Sequence, residues 1–270
     1  EVKPVGHFIQ KEPFDKMPAS EQTEIRVLRD DENIYFGIMC HDSDPGNIIA
    51  KEMRRDASLY DDDNIEIFLD TFFDRKNCYY FSTNPLGAKF DAIVTEEGQN
   101  INADWNGFWY CKADINGKGW TAEIAIPYHA IQYKEGLEQW GLNVGRNIQR
   151  KNEETFWSYI PRSQGVWGKY KVSFFGNLKN PVGEKAGKKF EVVPYVRSGS
   201  VRKEDALHST SKTDGGFDMK YRLAGNLQAD ISYNTDFAQV EADQEIVNTT
   251  RFNIFFPEKR QFFLENTGFF

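Results

Sequence analysis

The carboxylates are the first residues whose spacing suggests chemistry. Asp61, Asp62 and Asp63 stand side by side at the head of an alternating run, and Asp42 and Asp44 close an earlier one. Hard cations such as Ca²⁺ select clustered oxygen donors, so these residues predict a candidate cation site at one end of a β fold. The same residues also read as solvated turn carboxylates, and spacing alone does not choose. Glu66 and Glu123 are the carboxylates that glycoside hydrolysis would pair, unless each is simply the outward charge of an alternating strand. Tyr60, Trp105, Trp109, Trp157 and Trp167 lie in or beside turns, where an indole or phenol ring can stack on the flat C–H face of a sugar. The commoner fate of such rings is core or rim packing.

Other chemistries lack their residues. His7, His41, His129 and His208 are dispersed, no serine stands in a GxSxG context, and no glycine-rich phosphate loop occurs. Cys40, Cys78 and Cys111 have neither metal-site spacing nor the number for a disulfide framework, and read as buried thiols. A net charge of -8 and an isoelectric point near 5.2 exclude nucleic acid as the main partner, because phosphate binding needs concentrated Lys and Arg. No apolar run approaches the roughly 20 residues of a membrane-spanning helix.

These residues must be held by strands. From Glu24 to Leu178 short alternating runs are broken by Asp, Asn and Gly turns, the pattern of an antiparallel β-sandwich. In Asn64 to Asp70, Ile65, Ile67 and Leu69 face one side while Asn64, Glu66 and Phe68 face the other. If the first face is core, the second is free to bind. Trp109–Ile115 and Trp120–Ile126 flank Asn116-Gly117, a hairpin signal, and a short helical turn is expected through Ala130 and Tyr133. Further strands are expected at Ile34–Cys40, Cys78–Thr83, Gly141–Gln149 and Lys169–Phe175, about ten in all as a sandwich requires. The Pro-, Gly- and Lys-rich stretch from Lys179 to Lys189 predicts a connection, followed by strands at Phe190–Val196 and Leu227–Tyr233 around a polar segment from Ser198 to Thr213.

The run from Thr23 to Asp42, then Asp63-Asn64-Ile65-Glu66-Ile67-Phe68-Leu69-Asp70, Gly119-Trp120-Thr121-Ala122-Glu123-Ile124-Ala125-Ile126-Pro127 and Phe175-Gly176-Asn177-Leu178 resembles the family 9 carbohydrate-binding modules. That resemblance implies a non-catalytic sandwich holding a mono- or oligosaccharide between two rings, by position Tyr60 and Trp167. It implies polar contacts from Glu66, Ser82 and Asn84, with Ser82 where the modules carry Arg and Tyr60 where they carry Trp. Loss of a guanidinium fork there would weaken the site or change its ligand. It also implies structural Ca²⁺ on Asp42, Asp61, Asp62 and Asp63.

A second resemblance rests on Asn234-Thr235-Asp236-Phe237-Ala238-Gln239-Val240-Glu241-Ala242-Asp243, on Asn248, and on Phe255-Phe256-Pro257-Glu258-Lys259-Arg260-Gln261-Phe262-Phe263-Leu264-Glu265-Asn266. With Trp140-Gly141-Leu142-Asn143, Arg146 and Arg150, these are similar to an uncharacterised family of Gram-negative outer-membrane proteins that place a family 9-like domain before a long β-barrel. The implied organisation is all-β: a carbohydrate-binding sandwich over 1–180, then over 190–270 the start of an outer-membrane barrel or a plug. The protein would reside in the cell envelope, periplasm or outer membrane, its barrel continuing past Phe270. The alternative role is a periplasmic plug or docking domain without sugar binding.

Overall fold

The computed structural model describes residues 3–183, 190–201, 210–224 and 227–234. The chain divides into two compact units, the first ending at Gly187 and the second beginning at Lys188. The first holds strands β1 (Ile9–Glu12), β2 (Thr23–Arg29), β3 (Asn33–His41), β4 (Asn64–Asp70), β5 (Cys78–Thr83), β6 (Lys89–Thr95), β7 (Asn100–Asn102), β8 (Tyr110–Asn116), β9 (Gly119–Pro127), β10 (Gln139–Ile148), β11 (Glu153–Phe156) and β12 (Gly176–Lys179). The second holds β13 (Phe190–Val201), β14 (Thr210–Ala224) and β15 (Leu227–Tyr233).

Two antiparallel sheets make up the first unit. An eight-stranded sheet runs β1-β11-β10-β4-β5-β6-β7, with β12 also paired to the start of β10, and a four-stranded sheet runs β2-β3-β9-β8. Alternation along the strands decides the packing. Ile65, Ile67 and Leu69 of β4 turn inward to a core shared with Ile34, Phe36 and Ile38 of β3, Ile124 and Ile126 of β9, and Trp109, Trp120 and Trp140. Each large apolar side chain taken from water there stabilises the fold by about 1.5–3 kcal/mol.

The outward face of β4 is also buried, because the chain from Ile160 to Phe175 folds back over it. Phe68, Tyr80 and Phe156 meet Ile160, Tyr170, Val172 and Phe175 in a second apolar cluster. The strand expected over Lys169–Phe175 is instead a pair of 3-10 helices, Val166–Tyr170 and Val172–Phe174. Its amides bond locally, Lys171 N to Gly168 O at 3.0 Å and Phe174 N to Lys171 O at 3.1 Å. This arrangement turns Tyr170, Val172 and Phe175 onto Phe68, which an extended segment with alternating faces would not do. The turn expected near Ala130 is a 3-10 helix over Tyr128–Ala130. The hairpin at Asn116-Gly117 forms as β8 and β9.

In the second unit β13, β14 and β15 form an antiparallel three-stranded sheet in chain order. Part of the polar segment from Ser198 to Thr213 is therefore strand, and β14 answers no expected element. The motifs from Thr235 to Asp243, at Asn248 and from Phe255 to Asn266 lie outside the described residues.

Candidate functional site

A cleft of about 840 Å³ opens on the outer face of the eight-stranded sheet, beneath the loop carrying the 3-10 helices. Tyr60 and Trp167 both line it and are 74% and 66% exposed. Most of the other large rings of this unit are buried, Trp105 and Trp109 among them; Trp157 is half-buried against the core. Gly165, at φ +69°, admits the sharp turn that starts the Trp167 helix, a conformation costly for any residue with a Cβ. Trp167 stacks on Tyr170 with ring centroids 6.0 Å apart, which holds one indole face in place.

Below the rings, Glu66 and Ser82 are cross-strand partners on β4 and β5 and share the cleft face. Glu66 Oε1 accepts hydrogen bonds from Tyr80 Oη at 2.7 Å and Lys169 Nζ at 2.6 Å. Its Oε2 is buried without a partner over Gly145, where a Cβ would stand only 2.9 Å away. Burial alone would lower the Lys169 ammonium, but Glu66 and Tyr170 beside it prevail and its pKa is raised. Burial, with the Glu66 charge added, pushes the Tyr80 phenol well up. Both groups keep their protons at neutral pH and donate to Glu66.

A second ion pair occupies the same cleft. Lys11 Nζ of β1 lies 2.6 Å from Glu154 Oε2 of β11, and the Lys11 side chain is almost wholly buried. Burial raises the Glu154 carboxyl, Lys11 opposes the rise, and the charges of Glu66 and Lys169 also act on it. None of Lys11, Glu154 and Lys169 was anticipated from sequence. β1 and β11 have only four residues each, too few to show a period, whereas the position of Lys169 two residues after Trp167 was a signal available to be read.

Asn84 is not a cleft residue. It is buried, its Nδ2 donates to Glu52 O and Asp62 Oδ2, both at 2.7 Å, and its Oδ1 accepts from Leu86 N and Ala88 N. The amide is fully used in closing the loops around β4 and β5. The pair that glycoside hydrolysis would need is not assembled either. Glu66 lies outward on the eight-stranded sheet, while Glu123 is exposed on β9 between the inward Ala122 and Ile124. Stacked sheets are about 10 Å apart, and the two carboxylates lie beyond opposite sides of that sandwich. Catalytic carboxylates stand roughly 5–9.5 Å apart.

The carboxylates expected to hold Ca²⁺ are engaged by protein donors, except that Asp42 Oδ2 and Asp63 Oδ2 are buried with no hydrogen-bond partner. Asp62 accepts the backbone amides of Lys51 and Glu52 and the Asn84 amide. Asp63 Oδ1 caps Gln149 N at 2.8 Å, and Asp61 is exposed. Asp42 pairs with Arg150 and accepts Asp44 N at 2.7 Å, with Arg146 Nη2 3.9 Å from its Oδ2. Arg146 and Arg150 bring positive charge to this end of the sandwich. Among the described residues no three His, Cys, Asp or Glu gather as a metal site. All three cysteines are free thiols, Cys40 and Cys78 buried and Cys111 half-buried.

A family model described as carbohydrate family 9 binding domain-like matches residues 9–172. One described as a domain of unknown function, DUF5916, matches residues 188–270. No curated protein matches the chain. Among solved structures, a proposed carbohydrate-binding protein from Bacteroides uniformis ATCC 8492 aligns with a TM-score of 0.55 at 15% identity, over 66% of this chain and 86% of that one. At that identity the likeness is one of fold. A family 9 carbohydrate-binding module from Caldicellulosiruptor kristjanssonii aligns at 17% identity in its complexes with cellotriose, TM-score 0.47 over 66% of this chain and 82% of that one, and with glucose, TM-score 0.46 over 66% and 83%.

Proposed function

Because the chain belongs, through residues 9–172, to the carbohydrate family 9 binding domain-like family, we propose that its sandwich binds a mono- or oligosaccharide in the cleft, stacked between Tyr60 and Trp167, without catalysing a reaction on it. One observation carries this reading: two large rings are left exposed on a single concave site. Leaving apolar ring surface in water is unfavourable, and a sugar's C–H face would cover it while the ion pairs beneath meet its hydroxyls. The placement of Glu66 and Glu123 on opposite faces speaks against hydrolysis by that pair.

The second unit is proposed as strands of an outer-membrane barrel, which would put the protein in the Gram-negative cell envelope. Its support is the up-and-down order of β13 to β15 and the 12- and 15-residue lengths of β13 and β14, enough to cross a bilayer that roughly 9–11 tilted residues span. Envelope fractionation tests this; recovery of the native protein in the cytosol would refute it.

A plug or docking role without sugar binding is favoured by a different observation. Glu66 is covered by Lys169 and Tyr80, and Asn84 is committed to its loop, so two of the expected polar contacts are spent. Calorimetric titration of the full chain with glucose, cellobiose, xylobiose and cellotriose separates the two readings. Saturable heat that disappears in Trp167→Ala supports the sugar site. Absence of heat with every sugar, from protein shown to be folded, favours the plug.

A further inference from the structure

Each ion pair on the cleft floor has one buried and one partly exposed member. Glu66 and Lys11 retain only 2% and 3% of their side-chain surface, whereas Lys169 and Glu154 each keep 17%. A ligand entering beside Trp167 therefore meets an ammonium and a carboxylate, each fixed from behind by the opposite charge. Lys169 can only donate; ionised Glu154 can only accept. A sugar hydroxyl does both, so two hydroxyls of one ligand satisfy the floor, one receiving from Lys169 and the other giving to Glu154. Lys169 and Glu154 line the same cleft, together with their partners Glu66 and Lys11.

We infer that Lys169 and Glu154 are the specificity-determining polar contacts of the cleft, and that its ligand is a sugar with two free hydroxyls placed to bridge them. This rests on the sugar-binding reading above. It assigns the polar contacts to a loop lysine and a β11 glutamate rather than to Glu66, Ser82 and Asn84. The cleft volume of about 840 Å³ lies in the upper part of the ~300–1,000 Å³ range of ligand sites, leaving space for the bridged sugar and a neighbouring residue of a chain. The pairing also limits affinity: the ammonium and carboxylate are already partnered, so ligand hydroxyls add to existing hydrogen bonds instead of rescuing orphaned charges.

The test is calorimetric titration of the full chain with glucose, cellotriose and the set of monodeoxyglucoses, in wild type, Glu154→Gln and Lys169→Met. Lys169→Met leaves Glu66 buried without its cation, so Lys169→Met/Glu66→Gln and Lys169→Arg accompany it, with thermal melts of each. Glu154→Gln and Lys169→Met are expected to weaken glucose binding by roughly tenfold to a hundredfold, the loss of one charge-assisted hydrogen bond. Each should also stop discriminating against one particular deoxyglucose, a different one for each variant, which general destabilisation would not produce. Wild-type binding with folded variants that bind and discriminate as it does overturns this assignment and leaves sugar binding standing. No binding of any sugar by folded wild type overturns both.

Discussion

Arg146→Met removes the guanidinium that joins the two sheets at the Asp42 end. Arg146 sits on β10 of the larger sheet, yet Nη1 donates to Gln22 O at 3.1 Å and Thr23 Oγ1 at 3.2 Å, and Nη2 donates to His41 O at 2.8 Å, all in or beside strands of the smaller sheet. Arg146 is only 1% exposed. Methionine supplies similar apolar bulk and none of the donors. Three acceptors then lose a charged partner, each such bond being worth about 1.5–3 kcal/mol, and the buried Asp42 and Asp63 lose a neighbouring cation. Relaxation and water entry recover part of the sum, so the expected cost is that of breaking a buried ion pair, ~3–5 kcal/mol. For a unit of this size that is a fall of roughly 6–20 °C in midpoint. Tryptophan fluorescence isolates the transition, since all six tryptophans lie in the first unit. The melt is run in EDTA and in millimolar Ca²⁺. A cost under about 1 kcal/mol, or wild-type stability that rises with Ca²⁺ and falls with EDTA, would refute the reasoning that arginines supply the positive charge at this end.

Gly145→Ala would place a Cβ 2.8 Å from Phe156 Cε1 and 2.9 Å from Glu66 Oε2; overpacking of this kind costs about 1–3 kcal/mol. Thermal melts should show that loss together with weaker sugar binding as Glu66 shifts, and unchanged melting and binding would contradict the close fit. Burial pushes the Glu21 carboxyl up, but hydrogen bonds from Lys151 and Ser43 outweigh it and hold the pKa at about 2, below its ordinary 4.5. Its contribution to stability is therefore complete above pH 4.5 and lost as pH falls from there through about 2. Asp63, Asp70 and Asp91, raised by burial, act in the opposite sense. The difference in urea midpoint between wild type and Glu21→Gln should accordingly shrink across that acid range, and a constant difference would show that the pairing with Lys151 carries no linkage.

Sequence alone determined the features that depend on strand period and on turn chemistry. Ile65, Ile67 and Leu69 had to share a face because successive strand side chains alternate, and Asn116-Gly117 had to turn a hairpin. Those rules reach only neighbours in the chain, and they sufficed for an all-β sandwich with Glu66 pointing away from its core. From the five turn-side rings, the resemblance to carbohydrate-binding modules singled out Tyr60 and Trp167, which the structure leaves exposed on one cleft. Tertiary structure decided which polar groups were already spent. Asn84 and Asp62 close a loop, Arg146 spans 123 and 124 positions to Thr23 and Gln22, and Lys169 reaches 103 positions back to Glu66. No local pattern encodes such pairings. They arise when strand order brings distant segments together and burial forces each charge to find a partner. The change from expected strand to 3-10 helices between Val166 and Phe174 has the same cause, since the segment took the shape that covers Phe68 and Tyr80.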